Sequence, residues 1–316
     1  MRKEKLPINR QAYAAEIIKC LDRLSAAGHS RSTVFEDFLK LAEASLEALP
    51  RHVISISENG QYAEDTEETK ELFSPLRSRY GRGNPERFKR YMGIFSEAIG
   101  ILILSAETGE ANHEYMDIPG DIYMQLEIGN LRNGQFFTPM NVAKCMAEMT
   151  MMDMESQVYE RIKQALLHPD NIYGHAVLLT SVILEKGDAQ KYFFETVLPA
   201  AVPYYDPIRV CDPCVGSGVM LLAVACTAPA WMTKWGLIRF YGSDIDNTCV
   251  RMCRINIMLY GLNGTHIAYY RDLPPQIIAA MPEPYAELYK KAQAEPEKIL
   301  EVTEEFKHLR QLTFQL

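Results

Sequence analysis

No uninterrupted run of about eighteen apolar residues, the length a bilayer core requires, occurs in this 316-residue chain. No membrane span is therefore read from it. The first residues, Met1-Arg2-Lys3-Glu4-Lys5, are charged and have no apolar stretch behind them, unlike a secretory leader. The seven cysteines are an odd number scattered over the chain, which is no disulfide framework and suits a reducing, cytoplasmic setting. Basic residues are in the minority, 33 against 41 acidic ones, for a net charge of −8. A protein that grips nucleic acid by itself usually carries a basic face, so such affinity is expected to be weak or supplied by a partner. Repeats and low-complexity tracts are missing. His168, His175 and His266 lack metal-ligand spacing, and no Ser/His/Asp arrangement can be drawn.

What is present is an ordinary globular composition, 47% hydrophobic and 23% charged, in a chain long enough for two domains. Residues from about Ala14 to Gly109 read as helices. Val34, Phe38, Leu39, Leu41, Leu46 and Leu49 recur at near-helical spacing, with Ser32-Thr33 and Glu36 placed for a capping box. A second helix is expected from Pro85 to Leu104, in which Met92, Phe95 and Ile99 have core spacing. Another begins near Asn141 and runs through Met152. The 155–203 stretch is helical again and must bury Val177, Leu178, Leu179 and Val182.

From Ile208 the pattern alternates. Ile208–Cys211, Leu237–Tyr241 and His266–Tyr270 read as strands, and Val219–Cys226 and Thr248–Tyr260 as helices. This order argues a parallel, doubly wound α/β sheet. After the first strand comes Asp212-Pro213-Cys214-Val215-Gly216-Ser217-Gly218. Its glycines admit a ligand to the backbone, a helix N-terminus follows, and Asp212 can accept hydrogen bonds from an ammonium group. The dinucleotide fingerprint fits poorly, because Leu221 stands where the third glycine belongs and the acid precedes the turn. The second strand ends in Gly242-Ser243-Asp244-Ile245-Asp246, where an acid would hold the ribose hydroxyls of an adenosine. Asp244 is the choice for that role and Asp246 the alternate. Asp272, after the third strand, is either a surface turn residue or the acid nearest the adenine amine. Cys211-x-x-Cys214 with Cys249-x-x-x-Cys253 could be four zinc ligands. Cys211 is expected on a buried strand and the other pair on a packed helix, so they are read as core thiols and no metal site is assigned.

Upstream, Gly134-Gln135-Phe136-Phe137-Thr138-Pro139 by itself suits a helix cap and first turn. Followed in order by Asp-Pro-x-x-Gly-Ser-Gly and Gly-x-Asp-Ile-Asp, it resembles the modification subunit of type I restriction systems and related N6-adenine DNA methyltransferases. Asp117-Ile118-Pro119-Gly120-Asp121-Ile122-Tyr123 resembles the segment that leads into that motif, so the resemblance covers roughly residues 115 to 273. It implies a Rossmann-like S-adenosylmethionine-dependent sheet with an incomplete C-terminal half, preceded by an all-helical domain. The corresponding boundaries are 1–114 and 115–316, with 155–203 as a helical insertion. It also implies that Thr138 meets the cofactor's methionine carboxylate, with Pro139 beside it in the cofactor site and Phe136 or Phe137 lining the pocket. Asp212, Pro213, Gly216, Ser217 and Gly218 would hold its methionine and sugar, and Asp244, Ile245, Asp272 and Leu273 its ribose and adenine.

The chain departs from the family in one serious respect. The catalytic Asn/Asp-Pro-Pro-Tyr/Phe motif, which accepts hydrogen bonds from the target adenine's amine and stacks on the flipped base, is absent. Pro282-Glu283-Pro284-Tyr285 lacks its Asn, and Leu312–Leu316 falls where a fourth strand belongs. No catalytic residue is therefore assigned. Three functions remain open: a DNA methyltransferase-like enzyme of a restriction-modification or mobile-element system; a catalytically inactive cofactor-binding or regulatory subunit; and a fold without a ligand, which the intact glycines and acids disfavour. DNA would be met through a partner subunit, and a specificity partner, a catalytic-half partner or self-association is expected.

Overall fold

The computed structural model describes residues 10–61, 63–128, 137–181 and 189–262. These are mostly helical, with one two-stranded sheet. In chain order they form α1 (Arg10–Ser25), α2 (Arg31–Asn59), α3 (Glu67–Leu76), α4 (Pro85–Asn112), α5 (Ile118–Gln125), α6 (Met140–Thr150), α7 (Met154–Leu166), α8 (Ile172–Ser181), α9 (Ala189–Tyr192), α10 (Leu198–Ala201), β1 (Ile208–Asp212), α11 (Val219–Thr227), α12 (Ala230–Lys234), β2 (Ile238–Gly242) and α13 (Asn247–Leu259). The third strand and the C-terminal helix and strand expected from the sequence lie outside the described residues.

Two compact units result. One holds residues 1–150, 210–227 and 240–266; the other holds 151–209, 228–239 and 267–316. In the first unit, α2 begins at Ser30, whose hydroxyl accepts from the Thr33 amide at 3.1 Å. That is two residues before the expected Ser32-Thr33 cap, because the extended backbone of Ser30 leaves its side chain free to turn back on the helix. The helix runs on to Asn59 and stops at Gly60, which takes the left-handed conformation with φ 68°. α4 has an Asn84 cap and Pro85 in its first turn, and it continues past the expected end at Leu104 to His113 in the left-handed region. It is the one described helix long and apolar enough to cross a membrane, yet half of that apolar window is buried. Phe95, Ala98 and Leu102 enter a core shared with Ile17, Leu21, Phe35, Phe38 and Leu39, as befits a helix at the centre of a bundle.

The same core accepts Cys249, Met252 and Ile255 from α13. Arg251 and Arg254 bond Glu43 of α2 at 2.7 Å, and Arg254 also reaches Glu47 at 2.6 Å. α11 is apolar on all sides, and Val219, Leu221, Leu222, Ala223, Val224 and Ala225 are all buried, with α6 packed on it. β1 and β2 run parallel. The Ile208 amide bonds the Leu237 carbonyl at 2.9 Å, and the Ser243 amide bonds the Asp212 carbonyl at 3.0 Å. The crossover contains α12, a short helix that the sequence reading did not include.

In the second unit, α7, α8 and α10 pack together around the buried Asn171. Its side chain donates to the carbonyls of Ala165 and Ala200 and accepts from the Gly174 amide. α8 buries Val177 but leaves Leu179 76% exposed, so its apolar residues do not all turn inward as expected; Val182 lies outside the described residues. Tyr159, Phe193, Phe194 and Trp231 form an aromatic cluster in this unit.

Candidate functional site

β1 carries Asp212 to the carboxyl end of the sheet, and the chain reverses through Pro213–Gly218 into α11. Gly216 and Gly218 have φ of 53° and 94°, which only glycine adopts at no steric cost. Space is short as well as strained. A Cβ on Gly216 would lie 3.1 Å from the Phe137 ring, and one on Gly218 would lie 3.0 Å from the Cys253 sulfur.

The carboxylates do most of the local tying. Asp244 Oδ2 accepts from the Gly216 amide and Oδ1 from the Asp246 amide, both at 2.9 Å. One side chain thus joins the turns that follow both strands. Asp246 has a different task, capping α13 by accepting from the Thr248 amide at 2.8 Å. Asp212 Oδ1 accepts from the Cys214 amide at 3.0 Å, an Asx turn, and its Oδ2 has no partner among the described residues. The Val215 amide donates to the Ser243 carbonyl and the Gly218 amide to the Val215 carbonyl.

This wiring restricts the ligand. A phosphate-binding glycine loop keeps its N–H groups free for the anion. Here the amides of residues 214, 215, 216 and 218 already serve internal acceptors, and carboxylates stand beside them. A phosphate charge about 4 Å from one of these acids would meet roughly 4 kcal/mol of repulsion at an effective dielectric of about 20. The same acids attract a cation and accept from hydroxyl groups.

Ser217 faces inward. It is fully buried, and its hydroxyl donates to Asp117 Oδ2. Asp117 Oδ1 accepts from the Gly120 amide at 2.9 Å and from Asn256 Nδ2 at 2.8 Å, and that same Asn256 group donates to the Ser217 carbonyl at 2.8 Å. Burial pushes the Asp117 carboxyl above the usual carboxylate range, against the pull of these three donors. Sequence reasoning gave no role to Asp117 or Asn256. An Asp just before Ile-Pro-Gly is legible as a helix cap, and it does cap α5, but its distant partners have no local signature.

Phe137 is brought to the turn. Besides facing Gly216, its ring stacks on Tyr123 with centroids 5.3 Å apart. Burial, then the Asp246 carboxylate, pushes the Tyr123 phenol up to about 12. Phe137, Thr138 and Pro139 line a cavity of about 620 Å³ with Arg10, Asp121 and Lys144. Arg10 is paired with Asp121, and Lys144 with Glu114 at 3.3 Å. Pro213 and Ile245 are exposed, the latter completely, and Phe136, Asp272 and Leu273 lie outside the described residues.

The thiols divide in two. Cys211 is exposed, not buried as expected, because β1 alternates and shows that face outward; Cys214 is exposed too. Cys249 and Cys253 are buried, and desolvation pushes both up to about 12. Among the described residues no group of three or more His, Cys, Asp or Glu side chains is arranged to hold a metal ion.

Comparison with curated proteins and with solved structures returned no match. A protein-family model, N-6 DNA Methylase, matches residues 197–273, which takes in β1, the glycine turn, β2 and α13 but not Phe137–Pro139. The match spans 77 of the 316 residues, and in this segment the chain is similar to N6-adenine DNA methylases.

Proposed function

We propose that the chain binds S-adenosylmethionine at the β1–α11 turn and works as an N6-adenine DNA methyltransferase-like protein of a restriction-modification or mobile-element system. The observation that carries this reading is a glycine turn in which the amides of residues 214, 215, 216 and 218 are internally committed while Asp212 and Asp244 stand at its rim. Such a rim suits a ligand with an ammonium group, a sulfonium and a pair of ribose hydroxyls, and it opposes a dinucleotide. Asp212 Oδ2 is available to an ammonium. Each Asp244 oxygen accepts one amide bond and keeps a second lone pair for a ribose hydroxyl. Phe137 supplies an apolar wall and Thr138 a hydroxyl on the cavity side. When bound, the cofactor supplies an electrophilic sulfonium methyl; the residues named here bind and orient it.

The fold that goes with this reading is a Rossmann-like sheet within 115–316, after a helical region 1–114, in a cytoplasmic protein. A second reading is favoured by the absence of Asn/Asp-Pro-Pro-Tyr/Phe from the sequence. In it the chain is a catalytically inactive cofactor-binding or regulatory subunit, and a partner chain supplies catalysis and DNA recognition. Titration calorimetry with S-adenosylhomocysteine tests the common element. One site is expected, lost in Gly216→Leu, whose side chain meets both the positive φ and the Phe137 ring, and weakened in Asp244→Asn, which keeps an acceptor for only one of the Gly216 and Asp246 amides. No heat at millimolar ligand refutes the binding assignment.

A further inference from the structure

Between Arg77 and Arg90 stand six basic residues and one acid, in a chain whose net charge is −8. Most arginines elsewhere in the described residues are matched: Arg10 by Asp121, Arg23 by Glu97, Arg31 by Asp22, Arg161 and Arg209 by Asp206, Arg251 and Arg254 by Glu43. In the 77–90 segment only Arg79 is paired, with Asp37. Arg77, Arg82, Lys89 and Arg90 are exposed, Arg87 is half-buried, and none of the five has an acidic partner among the described residues.

The segment is also built, not loose. Arg82 is one of three non-glycine residues with positive φ among the described residues, at 47°, followed by Gly83 at 78°. Arg77 lies over the Phe88 ring and Arg87 over the Tyr91 ring, each at 5.5 Å. The aromatic faces hold the two guanidinium planes without neutralising them. The arginines also converge. After burial, Arg82, Arg79 and Arg87 all push the nearby His29 imidazole below its usual range, and His29 packs edge-on against Tyr80 at 4.8 Å. Concentrated cations without counter-charges, inside a strongly acidic protein, are costly unless a polyanion completes them.

We propose that the Arg77–Arg90 surface docks the phosphodiester backbone of duplex DNA. It is a positioning surface that reads no sequence. The choice of duplex DNA over other polyanions rests on the methyltransferase reading above; the surface itself does not. The test is fluorescence anisotropy of a labelled duplex of about 25 base pairs with the full chain between about 50 and 200 mM salt, a range over which phosphate contacts dominate affinity. The variant is Arg82→Ala/Lys89→Ala/Arg90→Ala, three exposed side chains whose loss leaves no buried partner. Its control is Lys19→Ala/Lys163→Ala/Lys191→Ala, which changes net charge equally at exposed sites elsewhere.

The patch variant is expected to bind at least about tenfold more weakly, with a salt slope shallower by about 0.9 per contact removed. The control should stay near the parent chain. Equal affinity and slope in patch variant and parent would overturn the proposal, as would equal weakening in the control. Binding of single-stranded RNA or polyglutamate without binding of the duplex would overturn it too. Calorimetry with S-adenosylhomocysteine on the same proteins keeps the two readings apart. Loss of DNA binding with intact cofactor heat supports the patch, and absent cofactor heat in the parent refutes only the turn site.

Discussion

Removing the Asp117 carboxylate tests the wiring beneath the turn. Three donors converge on it: the Gly120 amide, Asn256 Nδ2 and the Ser217 hydroxyl. Asp117, Asn256 and Ser217 are 2%, 0% and 0% exposed, so water cannot replace a lost acceptor. In Asp117→Ala the Gly120 bond disappears with the helix cap, worth about 1 kcal/mol. Asn256 keeps the Ser217 carbonyl but loses its other acceptor, and the Ser217 hydroxyl is left without one. At about 1–3 kcal/mol for a stranded buried donor, less the relief of a desolvated carboxylate, the net cost is about 2–4 kcal/mol. Asp117→Asn retains an oxygen for Gly120 and Asn256, so the cap survives, but its N–H group leaves the buried Ser217 hydroxyl without its acceptor; it should cost about 1–2 kcal/mol, less than alanine.

The pH dependence separates the pair further. Burial raises the native Asp117 pKa above its unfolded value, so the native state holds this proton more tightly than the unfolded chain does. Its contribution to stability is then fully present below the unfolded value near about 4 and declines as pH rises toward the native one. Asp117→Asn should abolish that decline. Urea unfolding followed by circular dichroism at pH 4, 5.5 and 7 supplies the measurement. Alanine within about 0.5 kcal/mol of the parent, or asparagine as damaging as alanine, would refute the hub as described.

Two further outcomes are expected. Ellman's reagent on the native chain should label the exposed Cys145, Cys211 and Cys214 first, with Cys249 and Cys253, pushed up to about 12, labelled only in denaturant; fast labelling of Cys253 would contradict its packing under Gly218. On the reading of the chain as an inactive subunit, the purified 316-residue polypeptide should transfer no labelled methyl group to DNA, because no Asn/Asp-Pro-Pro-Tyr/Phe occurs in it to accept from the target amine, bonds that contribute on the order of several kcal/mol. Radioactive N6-methyladenine after incubation with cofactor would disprove this.

How much was legible follows from the range of each interaction. Helix periods, β1, β2 and the glycine turn rest on local spacing, and their bounds differ from expectation by a few residues at most sites, with α4 running about two turns longer. Asp244 is preferred to Asp246 in sequence although both close the same strand, and nothing local separates what their side chains bond. The structure gives them different bonds, Asp244 to Gly216 across the turns and Asp246 to Thr248 on its own helix. Ser217 is placed among the cofactor-holding residues by the resemblance, yet its side chain is fully buried. Its inward turn depends on Asp117, one hundred residues away, which no local pattern encodes. Cys211 was misjudged because an apolar neighbourhood was taken for burial, whereas the alternation of a strand decides it.

Net charge misleads in the same way as local pattern, since it sums over groups that have already cancelled. Arg251 and Arg254 spend their charge on Glu43 and Glu47 inside the α2–α13 contact, and Arg10 spends its own on Asp121. At about 0.1 M salt an exposed charge is felt over only about 10 Å, so a distant excess of acids does not silence a local group of cations. What a passing ligand meets is therefore the unpaired remainder: Asp212 and Asp244 at the turn, and the Arg77–Arg90 segment on the helical side of the same unit. Under the two proposals made above, a cationic, hydroxyl-bearing small molecule goes to the first place and a polyanion to the second. The total of −8 describes neither.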